Sequence, residues 1–199
     1  MINNIPVIHN RQLLSLPRPF FARSALEVAP DLIGKVMLVE GLGGVINETE
    51  AYPPGDPAAH GFGGKTLRNA ALFARPGTIY VYRSYGIHFC VNVSCEAEGI
   101  GGGVLFRGII PFPEAVPAMQ MRRGTKLSPA NLCNGPGKLT QALLITLADN
   151  LTDSCGSSRV RLFDGGFHAR NIKATPRIGI SKNTEKLWRF YALEITNIP

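Results

Sequence analysis

The chain has 199 residues, 45% of them apolar, which is enough for one sizeable core and argues against disorder. Lysine and arginine outnumber aspartate and glutamate by 21 to 14, a net charge of +7 that favours a polyanionic partner. No apolar run approaches the ~18 residues of a membrane span, the N-terminus lacks the basic start and apolar core of a signal peptide, and Cys90, Cys95, Cys133 and Cys155 match no zinc spacing, so a reduced intracellular protein without a metal is expected.

Residues 1–19, ending at "LPRP", read as an arm, and residues 20–199 as the domain. "FFARSALEVAPDLIG" predicts a short helix. "KVMLVE" and "VINETEAY" predict two strands, joined at the turn "GLGG" into an antiparallel hairpin. A polar, glycine-rich loop follows at 53–68, and "RNAALFA" makes one or two helical turns. "PGTIYVYRSYGIHFCVNVSC" predicts a second hairpin with a Tyr-Gly turn near its centre. "GGGVLFRGIIPF" adds a strand, and "PEAVPAMQMRR" a short helix that starts near a proline. "GPGKLTQALLITL" is the clearest helix, with Leu139, Leu143, Leu144 and Leu147 near helical spacing. "RVRLF", "PRIGI" and "LWRFYALE" predict further short strands. This mixed, strand-rich order without repeats implies one compact α+β (mixed α/β) domain, built on a curved antiparallel β-sheet with surrounding short helices.

Three constellations could carry chemistry. Glu48 and Glu50 are two apart, so on a strand they share a face while Thr49 points the other way. They read either as a solvated strand edge or as the site of a general base beside a loop that closes a pocket. Tyr52 and His60 nearby favour the base, since a partly buried carboxylate can deprotonate water. In "YVYRSYGIH", Tyr80 and Tyr82 share a face and Tyr85 occupies the hairpin tip. These rings are either core aromatics or a stacking platform for unstacked bases with a wedge at the tip, and Arg83 could meet a phosphate. "GFGGKT" lacks the register of a phosphate loop. "NGPGKLTQAL" instead places Gly135 and Lys138 at the start of a helix, where backbone N–H groups could receive a DNA phosphate. Arg68 and Arg107 add cationic groups.

The residues resemble the alkyladenine (3-methyladenine) DNA glycosylase family of the mammalian type. The matching signatures are "ETEAY" at 48–52, "DPAAH" at 56–60, "TLRN" at 66–69, "PGTIYVYRSYGIHFCVNVS" at 76–94, "VLFR" at 104–107, "LCNGPGKLTQAL" at 132–143, "RIGI" at 177–180 and "LWRFY" at 187–191. They run in order along nearly the whole chain from about residue 20. The resemblance implies a monomer without cofactor, iron–sulfur cluster or membrane attachment, acting on damaged double-stranded DNA. It implies hydrolytic, monofunctional removal of alkylated or deaminated purines. Glu50 corresponds to the general base, and Arg107 to a residue that helps hold the water and sugar-phosphate. Tyr52 would stack on one face of the flipped base, with His60 and Tyr82 on the other. Backbone groups around Ala58 and His60 would read the purine edge, and Asn92 would obstruct the guanine 2-amino group. Ile178 falls where a backbone carbonyl contacts the water, and Tyr85 is the wedge. Glu48 receives no role. The gap from Tyr52 to His60 is one residue shorter than in the vertebrate branch, and His88 replaces an aromatic there. Both departures bear on substrate range. A non-catalytic damage-recognition module is the alternative, and a metal-dependent nuclease finds too few clustered ligands.

Overall fold

The computed structural model describes residues 12–197. The strands are β1 (Leu14–Ser15), β2 (Val36–Val39), β3 (Leu42–Tyr52), β4 (Ile79–Ser84), β5 (His88–Ser94), β6 (Gly103–Pro111), β7 (Val160–Asp164), β8 (Phe167–Thr175) and β9 (Arg189–Asn197). They pair antiparallel in the order β1-β7-β2-β3-β6-β5-β4, with β9 joining β3 to β8. The α-helices are α1 (Arg18–Phe21), α2 (Ala25–Asp31), α3 (Val116–Arg123), α4 (Pro129–Leu132) and α5 (Pro136–Leu143). The fold is the expected curved antiparallel sheet with short helices. The expected arm lies mostly outside the described residues, but Leu14 and Ser15 pair with β7 and Leu16 is buried.

β3 is the strand on which the sheet depends. Along one edge its first half pairs with β2 and residues 48–50 pair with β9, while β6 runs along the other edge. Both expected hairpins form. The first turns at Glu40–Gly41, whose φ values of 52° and 83° are the paired left-handed residues of a type I′ turn. The turn therefore precedes "LGG", which belongs to β3. Gly43 and Gly44 are required there because a Cβ would run into the backbone carbonyls of Met37 and Ile110. The second hairpin turns at Tyr85 (φ 49°) and Gly86 (φ 70°), closed by the Ile87 N–H on the Ser84 carbonyl at 3.1 Å.

Three sequence expectations change. The helix expected over 20–34 is two helices, because Ser24 caps α2 and exchanges a capping box with Glu27. α5 stops at Leu144, which adopts φ 54°. Leu139 and Leu143 are buried as expected, but Leu144 and Leu147 are exposed. "PRIGI" forms no strand, and a strand that was not expected, β8 ("FHARNIKAT"), pairs with β9. Its residues are mostly exposed, so no apolar alternation marked it.

The main core lies between the sheet and the helices. Phe106, Val91 and Val93 of the sheet meet Val28 and Ala29 of α2 and Leu139 and Leu143 of α5. Replacing Gly44 with alanine is expected to destabilise the fold by about 3 kcal/mol, read as a lower urea midpoint at unchanged slope.

Candidate active site

Two irregularities in the β3–β6 pairing, between Ile46 and Glu48 and between Glu48 and Thr49, leave Asn47 and Arg107 without Cα partners. Each is the extra residue of a bulge, which re-aims its neighbours. Glu48 and Glu50 keep a common neighbour, as the period of two requires. Arg107 donates from Nε to Glu48 Oε1 at 2.8 Å and pairs through Nη1 with Glu50 Oε1 at 3.2 Å. Arg189 of β9 adds a 2.6 Å bond to Glu48. Thr49 faces away and donates to the Ala29 carbonyl of α2 at 2.8 Å.

Glu50 is completely buried. Its Oε1 also accepts from the Ile178 N–H at 2.8 Å, and its Oε2 from the Tyr52 hydroxyl at 2.9 Å. Burial first, and then the Glu50 charge, raise the Tyr52 pKa, so the phenol stays protonated and donates. Burial pulls the Arg107 pKa down, but the Glu50 charge together with the hydrogen bond and charge of Glu48 outweigh it and raise the pKa, so the guanidinium stays charged. These three donors satisfy three of the roughly four lone-pair positions of the Glu50 carboxylate.

Above Glu50 lies a cleft of about 580 Å³. Eleven of the residues read in the sequence as candidates for the site line it: Tyr52, Ala58, His60, Arg68, Tyr80, Tyr82, Arg83, Tyr85, Asn92, Arg107 and Ile178. His60 packs edge-on against Tyr82, with centroids 4.5 Å apart, and its Nδ1 lies 2.9 Å from the Tyr80 hydroxyl. Tyr80 stacks on Tyr82 at 5.4 Å. Packing of the imidazole against these rings, and then Arg68, lower the His60 pKa, which favours neutral imidazole near neutral pH. Asn92 is buried and donates to the Tyr80 carbonyl at 3.1 Å. Tyr85 projects from the rim, 85% exposed.

A family model described as methylpurine-DNA glycosylase matches residues 19–195. The chain belongs to the methylpurine-DNA glycosylase family. It is 53% identical over 175 residues to a protein of Rhodopseudomonas palustris strain BisB18 named "Putative 3-methyladenine DNA glycosylase", covering 88% of this chain and 86% of that one. Proteins of the same name from Bradyrhizobium diazoefficiens and Granulibacter bethesdensis are 49% and 46% identical, covering 88% and 90% of this chain and 86% and 84% of theirs. These relatives are bacterial, although the motifs resemble the mammalian type. Membership makes the protein a DNA glycosylase, an enzyme, and so decides against the non-catalytic module.

Glu50, Gly135 and Lys138 do not line the cleft of this glycosylase. Glu50 lies beneath Tyr52 and Arg107. Gly135 precedes α5, whose first residue Pro136 does line the cleft, and Lys138 is exposed and bonded to Asn134 at 2.9 Å. Ile178 meets Glu50 through its N–H, whereas the resemblance pointed to its carbonyl. The Ala58 N–H is taken by Asp56 Oδ1 at 3.1 Å, and the His60 carbonyl by Asn69 Nδ2 at 2.8 Å.

Sequence reasoning passed over three residues near the cleft. Lys182 lines it. Asp56 and Arg177 form an ion pair with no side-chain exposure. Their signals were present, since both belong to the quoted "DPAAH" and "RIGI", but 121 residues separate them. Burial opposes ionisation of Asp56, and hydrogen bonds from Arg177, Ala58 and Asn183 overcome it, so its carboxyl titrates below the usual range. A depressed carboxylate contributes stability that is present above its unfolded pKa of about 4 and is lost as pH falls through the folded value. Asp56→Asn is therefore expected to cost about 3 kcal/mol at pH 7. Thermal unfolding across pH checks it: the gap between wild type and variant should close as acid protonates Asp56.

Proposed function

We propose that the protein flips alkylated or deaminated purines, such as 3-methyladenine, hypoxanthine and ethenoadenine, out of duplex DNA and hydrolyses the N-glycosidic bond with a water activated by Glu50. The observation that carries this reading is a buried carboxylate held by three donors, beneath a cleft walled by aromatic rings. A water held there by Glu50 and Arg107 would lose its proton to Glu50 as its oxygen bonds to C1′ of the sugar. The bond from C1′ to the base nitrogen breaks and its electron pair leaves with the purine. The transition state carries positive charge on the sugar, which the nearby carboxylate stabilises.

The walls suit the substrate. Tyr52 on one side and His60 with Tyr82 on the other would sandwich a flat base, and a cationic purine gains cation–π attraction. Neutral His60 spares such a base charge repulsion. With the Ala58 N–H and the His60 carbonyl committed, the His60 N–H and the Ala58 carbonyl are the backbone groups left to read the purine edge. Asn92 would sit against the guanine 2-amino group. A neutral base such as hypoxanthine needs a proton on its ring before it departs.

Unstacking a base costs a few kcal/mol, less at a damaged pair. Tyr85, held out by its left-handed turn, would fill the gap in the duplex. Arg68, Arg83, Lys138 and the backbone near Gly135 would meet phosphates, and such binding weakens with salt. Lys182 is the cleft lysine that could in principle form a Schiff base. With Glu50 as the base that activates water, the proposed reaction is monofunctional.

Glu50→Gln is expected to keep binding to lesion-bearing duplex while base release falls by at least about a hundredfold. Release of hypoxanthine or 3-methyladenine at the wild-type rate would refute Glu50 as the base. With the wild-type enzyme the abasic strand should stay intact until alkali is added, and borohydride should trap no protein–DNA adduct. Tyr85→Ser is expected to weaken capture of the flipped state roughly tenfold, read by the fluorescence of a reporter base beside the lesion. Unchanged flipping would count against the wedge.

A further inference from the structure

The Arg177 guanidinium lies 4.5 Å from the centre of the Tyr52 ring and 5.0 Å from that of Trp188, between the two. Its Nη1 donates to the Ala51 carbonyl and to Asp56. Its Nε and Nη2 are buried without a hydrogen-bond partner among the described residues. An orphaned charged donor is costly, and here the π faces of the two rings take the place of an acceptor. Tyr52 lines the cleft and Arg177, stacked on its ring, does not.

From this geometry we infer that Arg177 is a specificity-determining positioning residue, a fixed cation behind the Tyr52 ring that restrains the enzyme's preference for positively charged purines over neutral ones. The inference rests on Tyr52 being a wall of the base pocket. A ring has one π cloud. A cation on its rear face draws electron density back and weakens the negative potential on the front, and it also repels a second cation through the ring. A cationic base such as 3-methyladenine loses attraction to the front face, whereas neutral hypoxanthine, which stacks chiefly by dispersion, loses little. Asp56 sets how much of the charge is felt. The same pair ties down other parts of the cleft, because Asp56 accepts from the Ala58 N–H and from Asn183 Nδ2 at 2.9 Å, and Ile178 follows Arg177 directly. Loss of this scaffold alone would slow both substrates together, so the ratio between them separates the electrostatic role from the structural one.

The test is the ratio of single-turnover efficiencies on duplexes carrying 3-methyladenine or hypoxanthine. In Asp56→Asn/Arg177→Met both charges are gone and the introduced amide oxygen can still accept from Ala58 and Asn183, so the ratio should rise roughly threefold to tenfold in favour of 3-methyladenine. Asp56→Asn alone leaves the guanidinium uncompensated and should move the ratio the other way. It decides the question if the double variant does not fold. Arg177→Lys, which keeps a positive charge, should return the ratio toward wild type even where the overall rate falls. A ratio equal in wild type, Asp56→Asn and any folded Arg177 variant overturns the inference while leaving the glycosylase reading intact. A wild-type protein that releases neither base overturns both.

Discussion

A carboxylate with no exposed surface is the constraint on which this structure turns. Burying one without partners costs several kcal/mol, which only close, well-aimed donors can offset. Glu50 has three, and none comes from the helices of the fold. Arg107 arrives from the adjacent strand, Tyr52 from two residues further along the same strand, and the Ile178 N–H from 128 residues away. The arrangement needs β3 to pair on both edges at the level of the glutamates, with β6 on one side and β9 on the other. The bulges at Asn47 and Arg107 complete it. Glu48, which carries no chemistry of its own, then has a physical purpose: with Arg189 it fixes the far side of the guanidinium that Glu50 shares.

The cleft above repeats this logic at lower charge. Its aromatic rings are held by polar contacts as well as packing: the Tyr52 hydroxyl by Glu50, the Tyr80 hydroxyl by His60, and the Tyr80 carbonyl by Asn92. Rings fixed in this way lose little freedom when a flat molecule enters between them, which favours binding. The rim is different. Tyr85 lines the cleft from the tip of the β4–β5 hairpin, and it and its tip neighbour Ile87 are exposed apolar side chains. A buried, pre-paired floor beneath an exposed aromatic rim is consistent with the proposed capture of a single base from duplex DNA.

The sequence by itself determined much of this protein. The period of two put Glu48 and Glu50 on one face and Thr49 on the other, and Tyr80 beside Tyr82, because strand geometry is local. The two hairpins were legible from apolar alternation and from left-handed turn residues such as Tyr85–Gly86. The ordered motifs pointed to the family that residues 19–195 match. Tertiary structure decided the rest, for two reasons. Some features leave no local signal: β8 is mostly exposed and has no alternation to read, and α5 ends at Leu144 by a backbone choice that its apolar spacing could not reveal. Others are meetings between distant residues. Asp56 and Arg177 each look like an ordinary surface charge in the sequence, and only the closing of the sheet buries them together behind Tyr52. Likewise Arg107 could be recognised as a candidate from its motif, but its position against two glutamates depends on the pairing of β3 with β6.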